Sequence, residues 1–212
     1  MNELEDIVLQ EFEGFKRFFT DFLDLDDKQK HALDNNMPKI VVSHKLEHYA
    51  ALEFSSYHFQ LSYQPEAVQN PLATTEEPAH YFNMVLSPEH RTRLLQAEKG
   101  SELYLKLEYR AEYIARLMAL IYLGDKGIKE YNQVWSNIEK NKIILTTEPL
   151  SAKAHYLGYT KAEKDFATMT PQQLKEKLKK VLFGNDISEF SDIYKLQMPR
   201  IIAIPQQYQL AA

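Results

Sequence analysis

Along residues 2–23 the large apolar side chains Leu4, Val8, Phe12, Phe15, Phe19 and Phe22 return every three or four positions, and Ile7 and Phe18 widen the stripe. That is the helical period, with the apolar face turned inward. The opposite face is acidic. The pattern predicts one helix here and a shorter one over about 27–35, stopped by the "NNMP" punctuation. From Lys39 the period becomes two. Ile40, Val42, His44 and Leu46 alternate with Val41, Ser43, Lys45 and Glu47. The stretches 51–63 ("LEFSSYHFQLSY" within it) and 80–86 ("HYFNMVL") also lack helical spacing. Strands over 39–46, 51–63 and 80–86 predict an antiparallel meander. Between the last two, Pro65, Pro71 and Pro78 interrupt a polar run, so 65–79 is expected to be a mobile surface loop.

Helical signals then dominate. Ser87 and Pro88 open a helix that Gly100 stops; Ser101 opens the longest one, stopped by Gly124. Leu103, Leu107, Ile114, Leu117, Met118 and Ile121 form its predicted buried stripe, with Glu112 and Arg116 paired outside at i,i+4. A further helix is expected over 127–140, and a short strand over 142–148. Thr170, Pro171, Gln173 and Gly184 delimit a well-capped helix. A short helix over 187–196 and an edge strand over 200–204 complete the reading. Strands first and helices later predict an α+β fold. It has a small antiparallel sheet of about three to five strands covered by helices, in a single domain 1–212. A helical segment 1–36 precedes the sheet region 38–87 and a helical region 88–212.

Charge and composition narrow the function. With 44% hydrophobic and 26% charged residues, the chain is that of an ordinary globular protein. The formal charge of −5 is concentrated at one end: residues 1–36 carry ten acids and four bases. A sequence pI near 5.8 argues against nucleic-acid binding. The 6 glycines form neither dinucleotide nor phosphate-loop fingerprints, and the absence of cysteine removes thiolate chemistry. The acidic start and lack of a long apolar run predict a cytoplasmic protein without membrane insertion. The sequence calls for no cofactor.

One motif carries chemistry. "SHKLEH" holds His44, Glu47 and His48 in the spacing H-x-x-E-H. On a helix, His44 and His48 would share a face and bind one metal, with Glu47 activating the bound water. Over these five positions the chain resembles the inverted zinc metallopeptidases. That resemblance implies a downstream glutamate ligand, for which Glu108 and Glu112 are the candidates. The period-two alternation through residue 48 instead favours a strand or turn, which separates Glu47 from both histidines. Glu108 and Glu112 also raise a di-iron reading, which requires Glu-x-x-His on partner helices. The predicted helices supply none, so both acids are expected on a solvated face with Arg110 and Arg116. "DLDDK" (24–28) is expected to be a solvated helix end, and "KEKLKK" (175–180) a surface face. The expected function is a non-catalytic, protein-binding adaptor, chaperone-like or scaffold subunit. The small acidic chaperones and adaptors of bacterial secretion systems are similar in bulk features. Phe15, Phe18, Phe19 and Phe22 are the candidate partner-binding residues. A zinc-dependent hydrolase using His44, Glu47, His48 and Glu112 is the alternative.

Overall fold

Most of the predicted helices form where apolar period and capping residues coincide. The computed structural model describes residues 3–46, 49–56, 58–141 and 149–194, and side chains outside 125–141 and 149–152. In chain order the elements are α1 (Glu3–Phe22), α2 (Asp27–Asn35), β1 (Lys39–Val42), β2 (Ala50–Phe54), β3 (Phe59–Tyr63), α3 (Pro65–Val68), α4 (Ala73–Leu86), α5 (Pro88–Gln96), α6 (Glu102–Asn141), α7 (Pro149–Thr168), α8 (Pro171–Phe183) and a 3₁₀ turn (Ser188–Tyr194). The fold is α+β, with a small sheet and mostly helical content. Among the described residues, no helix is long and apolar enough to cross a membrane.

On α1, Val8, Phe12, Phe15 and Phe19 are buried, as the stripe requires. Phe12 meets Tyr81 edge-on, and Phe15 meets Phe82 and Tyr122. Phe15 and Phe19 therefore belong to the core and not to a docking surface. Phe18 is 37% exposed and stacks on the partly buried Phe22 with ring centroids 5.7 Å apart. On α8 the predicted capping box is present in both directions, and Leu174, Leu178, Val181 and Leu182 face inward. Ser101 accepts a hydrogen bond from the Tyr104 N–H, as an N-cap should. Helix α6 breaks at Gly124, where φ is +56°. That left-handed backbone favours glycine and matches the predicted stop.

The sheet departs from the expected meander. Its order is β1-β3-β2, with β1 parallel to β3 and β2 antiparallel to β3. The run 51–63 is two strands of a hairpin, closed by the Ser55 N–H donating to the His58 carbonyl. Segment 80–86 is helix, not strand, and the predicted loop 65–79 is α3 and most of α4. Tyr81, Phe82, Asn83, Met84 and Val85 are all buried. A helix buried on every side has no polar face, so its period disappears from the sequence. Pro65 begins α3, but Pro78 lies inside α4, where its missing N–H leaves the Thr74 carbonyl without the usual helical bond. Helix α7 is an element that the pattern did not predict. Segments 142–148 and 200–204 lie outside the described residues.

Ser87 does not cap α5 as expected; its hydroxyl donates to the Leu182 carbonyl at the end of α8. Arg110 joins it there, donating to the carbonyls of Val181 (2.5 Å), Leu182 (3.3 Å) and Gly184 (3.3 Å). A buried guanidinium thus satisfies carbonyls that a helix terminus leaves orphaned. Two outcomes follow. Phe15→Ala should lower the unfolding free energy by about 3–5 kcal/mol, and Phe18→Ala by about 1 kcal/mol or less, in chemical denaturation. Arg110→Met should cost about 3 kcal/mol in the same assay, because the α8 carbonyls lose a charged donor. Equal losses for the two phenylalanines, or a neutral Arg110 variant, would contradict this packing.

Candidate metal centre

The middle of α6 lies inside the protein. Residues Tyr109 to Leu120 are all buried, including Arg110, Glu112 and Arg116. The expectation of a solvated face, with Glu112 and Arg116 paired outside, is overturned. Each charge instead takes partners from other helices, because a buried charge is retained only when paired. Arg116 lies 2.5 Å from Glu76 of α4 and 3.5 Å from Glu163 of α7, and its guanidinium sits 4.8 Å over the Tyr159 ring.

Glu112 is the centre of the second group. Its Oε2 is 2.9 Å from Nδ1 of His155 on α7 and 3.7 Å from Nε2 of His80 on α4. The Glu112 side chain is only 6% exposed, and the His155 imidazole is its close partner, by charge and by hydrogen bond. Glu108 lies one turn before Glu112 on α6. Ligand atoms of Glu108, Glu112 and His155 all lie within 4.8 Å of one another. With bonds of about 2.0–2.1 Å, neighbouring ligand atoms around one ion stand about 2.9–3.4 Å apart. The His155–Glu112 separation already has that value. Small side-chain rotations would bring Glu108 into range.

Local sequence explains the approach. His155, Gly158, Tyr159 and Ala162 share one face of α7 by helical spacing. A β-carbon at Gly158 would lie 2.5 Å from Cβ of Glu112 and 2.8 Å from N of Tyr113. Only glycine lets α7 settle onto α6 beside the carboxylate. On α4, Glu77 and His80 stand at i and i+3, spelling Glu-Pro-Ala-His. This is the Glu-x-x-His pattern that the predicted helices lacked, hidden because 65–79 reads as loop. Glu77 also takes a hydrogen bond from the backbone of Leu52 on β2.

The electrostatics follow from burial and charge. Burial pushes the Glu77 carboxyl up to about 7, assisted by Glu76 and Glu112 and opposed by His80. Burial also raises Glu108, against a hydrogen bond with Tyr104. Burial alone would raise Glu112 too, but His155, His80 and Arg116 together hold it below the usual carboxylate value. Burial disfavours the His155 cation, yet Glu112 first, then Glu108 and Glu76, lift it to about 9. The His155 side chain is 43% exposed, so the cluster opens to solvent on that side.

The structure separates the sequence-derived candidates. His44 sits on an exposed turn with its Nδ1 3.8 Å from Glu66. Glu47 and His48 lie outside the described residues. Among the described residues, Glu108, Glu112 and His155 form the only three-ligand group, so Glu112 does not join His44. Lys175 and Lys179 both pair with Asp24 of "DLDDK", and Lys177 pairs with Glu189. His155, His80, Glu77 and Gly158 are the site residues that sequence reasoning missed. The one available signal was Glu77-x-x-His80.

Two measurements probe this arrangement. Gly158→Ala should destabilise the protein by about 1–3 kcal/mol, since the added methyl must separate two packed helices. His155 is raised from an ordinary 6.5 to about 9, so its contribution is full below 6.5 and is lost as pH rises through 9. The melting temperature of metal-free protein should therefore fall from pH 7 to 9, and Glu112→Gln should flatten that fall. A midpoint that rises over this range would contradict the assignment.

Neither family models nor curated proteins nor solved structures yield a match to this chain.

Proposed function

We propose that this protein binds a divalent transition metal between α4, α6 and α7, and that the bound ion carries its function. Glu108, Glu112 and His155 are the ligands, with His80 alongside. The observation that carries this reading is the convergence of one ligand atom each from Glu108, Glu112 and His155, all within 4.8 Å of one another beside the buried middle of α6. Mixed carboxylate and imidazole donors suit iron(II), manganese(II) or zinc. Three protein ligands leave positions open, and the partly exposed His155 marks the side from which water or a small substrate reaches the ion. Such an ion activates water or polarises an oxygen of a bound substrate. The protein's own contribution is to hold the ligands and exclude bulk solvent on the α4 side, and the proton that His155 carries would leave to solvent on binding.

Chelator-treated protein reconstituted anaerobically with iron(II) or with manganese(II) should retain metal through desalting. Glu112→Gln and His155→Ala should each weaken retention at least tenfold, while His44→Ala leaves it unchanged. Failure of the wild type to retain either metal, or full retention by both site variants, would sink the reading.

A second reading, a subunit that acts through protein contacts, is supported by the exposed ring of Phe18 on an acidic helix. Phe18→Ala should then reduce recovery of a stoichiometric partner from the native host without changing metal content.

A further inference from the structure

Ile7, Glu11, Gly14 and Phe18 follow one another at four, three and four positions, so they share one face of α1. This face lies beside the buried stripe of Val8, Phe12, Phe15 and Phe19 and outside the core. Ile7 is 41% exposed on it and Phe18 37%. Resting on the protein-contact reading above, we infer that this face of α1 is a docking surface for a basic amphipathic helix of a partner protein. The partner's apolar side chains lie along Ile7 to Phe18, and its lysines and arginines meet the carboxylates beside them.

The relief of the surface suits a helix. Gly14 has no side chain, and a β-carbon there would lie 3.0 Å from the Tyr122 hydroxyl. Between Ile7 and Phe18 the surface is therefore a shallow groove with Tyr122 beneath it, and the Tyr122 ring meets Phe18 edge-on at 5.4 Å. At one end of the groove, Phe18 stacks on the partly buried Phe22. At the other, Ile7 borders a pocket of about 140 Å³ with Val68, Pro71, Thr75 and Leu123. An apolar cavity of about 150 Å³ holds a benzene ring, so this pocket has room for one leucine or phenylalanine side chain. From Ile7 to Phe18 the axis runs about 16 Å, or three helical turns. A partner helix laid alongside covers that length with anchors one turn apart.

Charge decides the occupant. Glu3, Asp6, Glu11 and Asp21 are exposed on this face or its outer flank, and Arg17 is the one exposed base of α1. Among the described residues, none of these four carboxylates enters an ion pair. Lys16, round the helix, is already taken by Glu13 and Asp34. A second copy of the same face would set like charges against each other across a two-fold contact. An acidic partner would do the same, and like-charge juxtaposition opposes binding. A partner whose apolar stripe is flanked by lysine or arginine instead gains by burial and by charge.

The test titrates full-length protein against three labelled peptides by fluorescence anisotropy. One is a leucine–lysine peptide patterned as an amphipathic helix, the second a leucine–glutamate peptide of the same pattern, and the third the leucine–lysine peptide in scrambled order. Wild type should bind the first at least about tenfold more tightly than either of the others. Ile7→Ala and Phe18→Ala should each weaken that binding at least about tenfold. Glu11→Lys with Asp21→Lys should weaken it too and flatten its dependence on salt. Equal binding of the three peptides, or unchanged binding in both alanine variants, would overturn the proposal. Self-association of wild type that Phe18→Ala abolishes would make a second copy the occupant, overturning the basic partner while leaving the protein-contact reading intact. A stoichiometric partner held through Phe18 that the leucine–lysine peptide does not displace would have the same effect. Neither peptide binding nor a recovered partner would overturn both. Circular dichroism checks that each variant is folded; if Phe18→Ala is not, Ile7→Ala decides.

Discussion

Three charges buried in the middle of α6 organise the helical part of this protein. Arg110, Glu112 and Arg116 cannot be hydrated where they stand, and each draws its partners from different neighbours. Arg110 binds the carboxyl-terminal carbonyls of α8. Glu112 faces histidines from α4 and α7, and Arg116 takes carboxylates from the same two helices. Apolar packing alone tolerates small rotations and slides of one helix against another. A charge with a partner at fixed distance does not, since the desolvation cost returns as soon as the pair opens. The register of α4, α7 and α8 against α6 is therefore set by charge, and the aromatic and aliphatic core fills in around it.

How much of this is legible in the sequence depends on whether an element keeps a polar face. Helices α1 and α8 do, and their stripes and caps read directly from Phe12, Phe15 and Phe19, and from Thr170 and Gln173. The hairpin halves also read as strands. The second half of helix α4 shows no polar face: Tyr81 to Val85 are all buried, and Pro78 argues against the helix that contains it. Once α4 is misread as loop and strand, Glu77 and His80 no longer share a face, and the metal reading of Glu108 and Glu112 has no partners. Helix α7 fails differently. It presents small residues, Ala154, Gly158 and Ala162, to α6, and such residues give no hydrophobic signal although they permit the closest packing. The H-x-x-E-H motif shows the converse: five residues that spell a site while the first of them, His44, sits on an exposed turn.

Carboxylates crowded into one partly closed cluster work against the fold that holds them. Repulsion among Glu77, Glu108 and Glu112 is relieved by protons on Glu77 and His155. On the proposed metal-binding reading, metal and proton compete for the same relief, and occupancy is linked to stability. Gly158 removes the steric obstacle to that arrangement, and the hydrogen bond from the Leu52 backbone anchors Glu77 on the side of the sheet. Even the small sheet therefore touches the centre, through its edge strand β2.

Asp24 has a consequence at a longer range. It adopts a left-handed backbone with φ +48° at the end of α1 and receives both Lys175 and Lys179 from α8. The acidic N-terminal segment and the basic C-terminal helix, far apart along the chain, neutralise one another locally. With Lys177 turned to Glu189, three of the four α8 lysines are paired within the molecule. A face that in sequence looks ready to collect polyanions has most of its cations engaged within the molecule, and added salt acts first on the seam between α1 and α8.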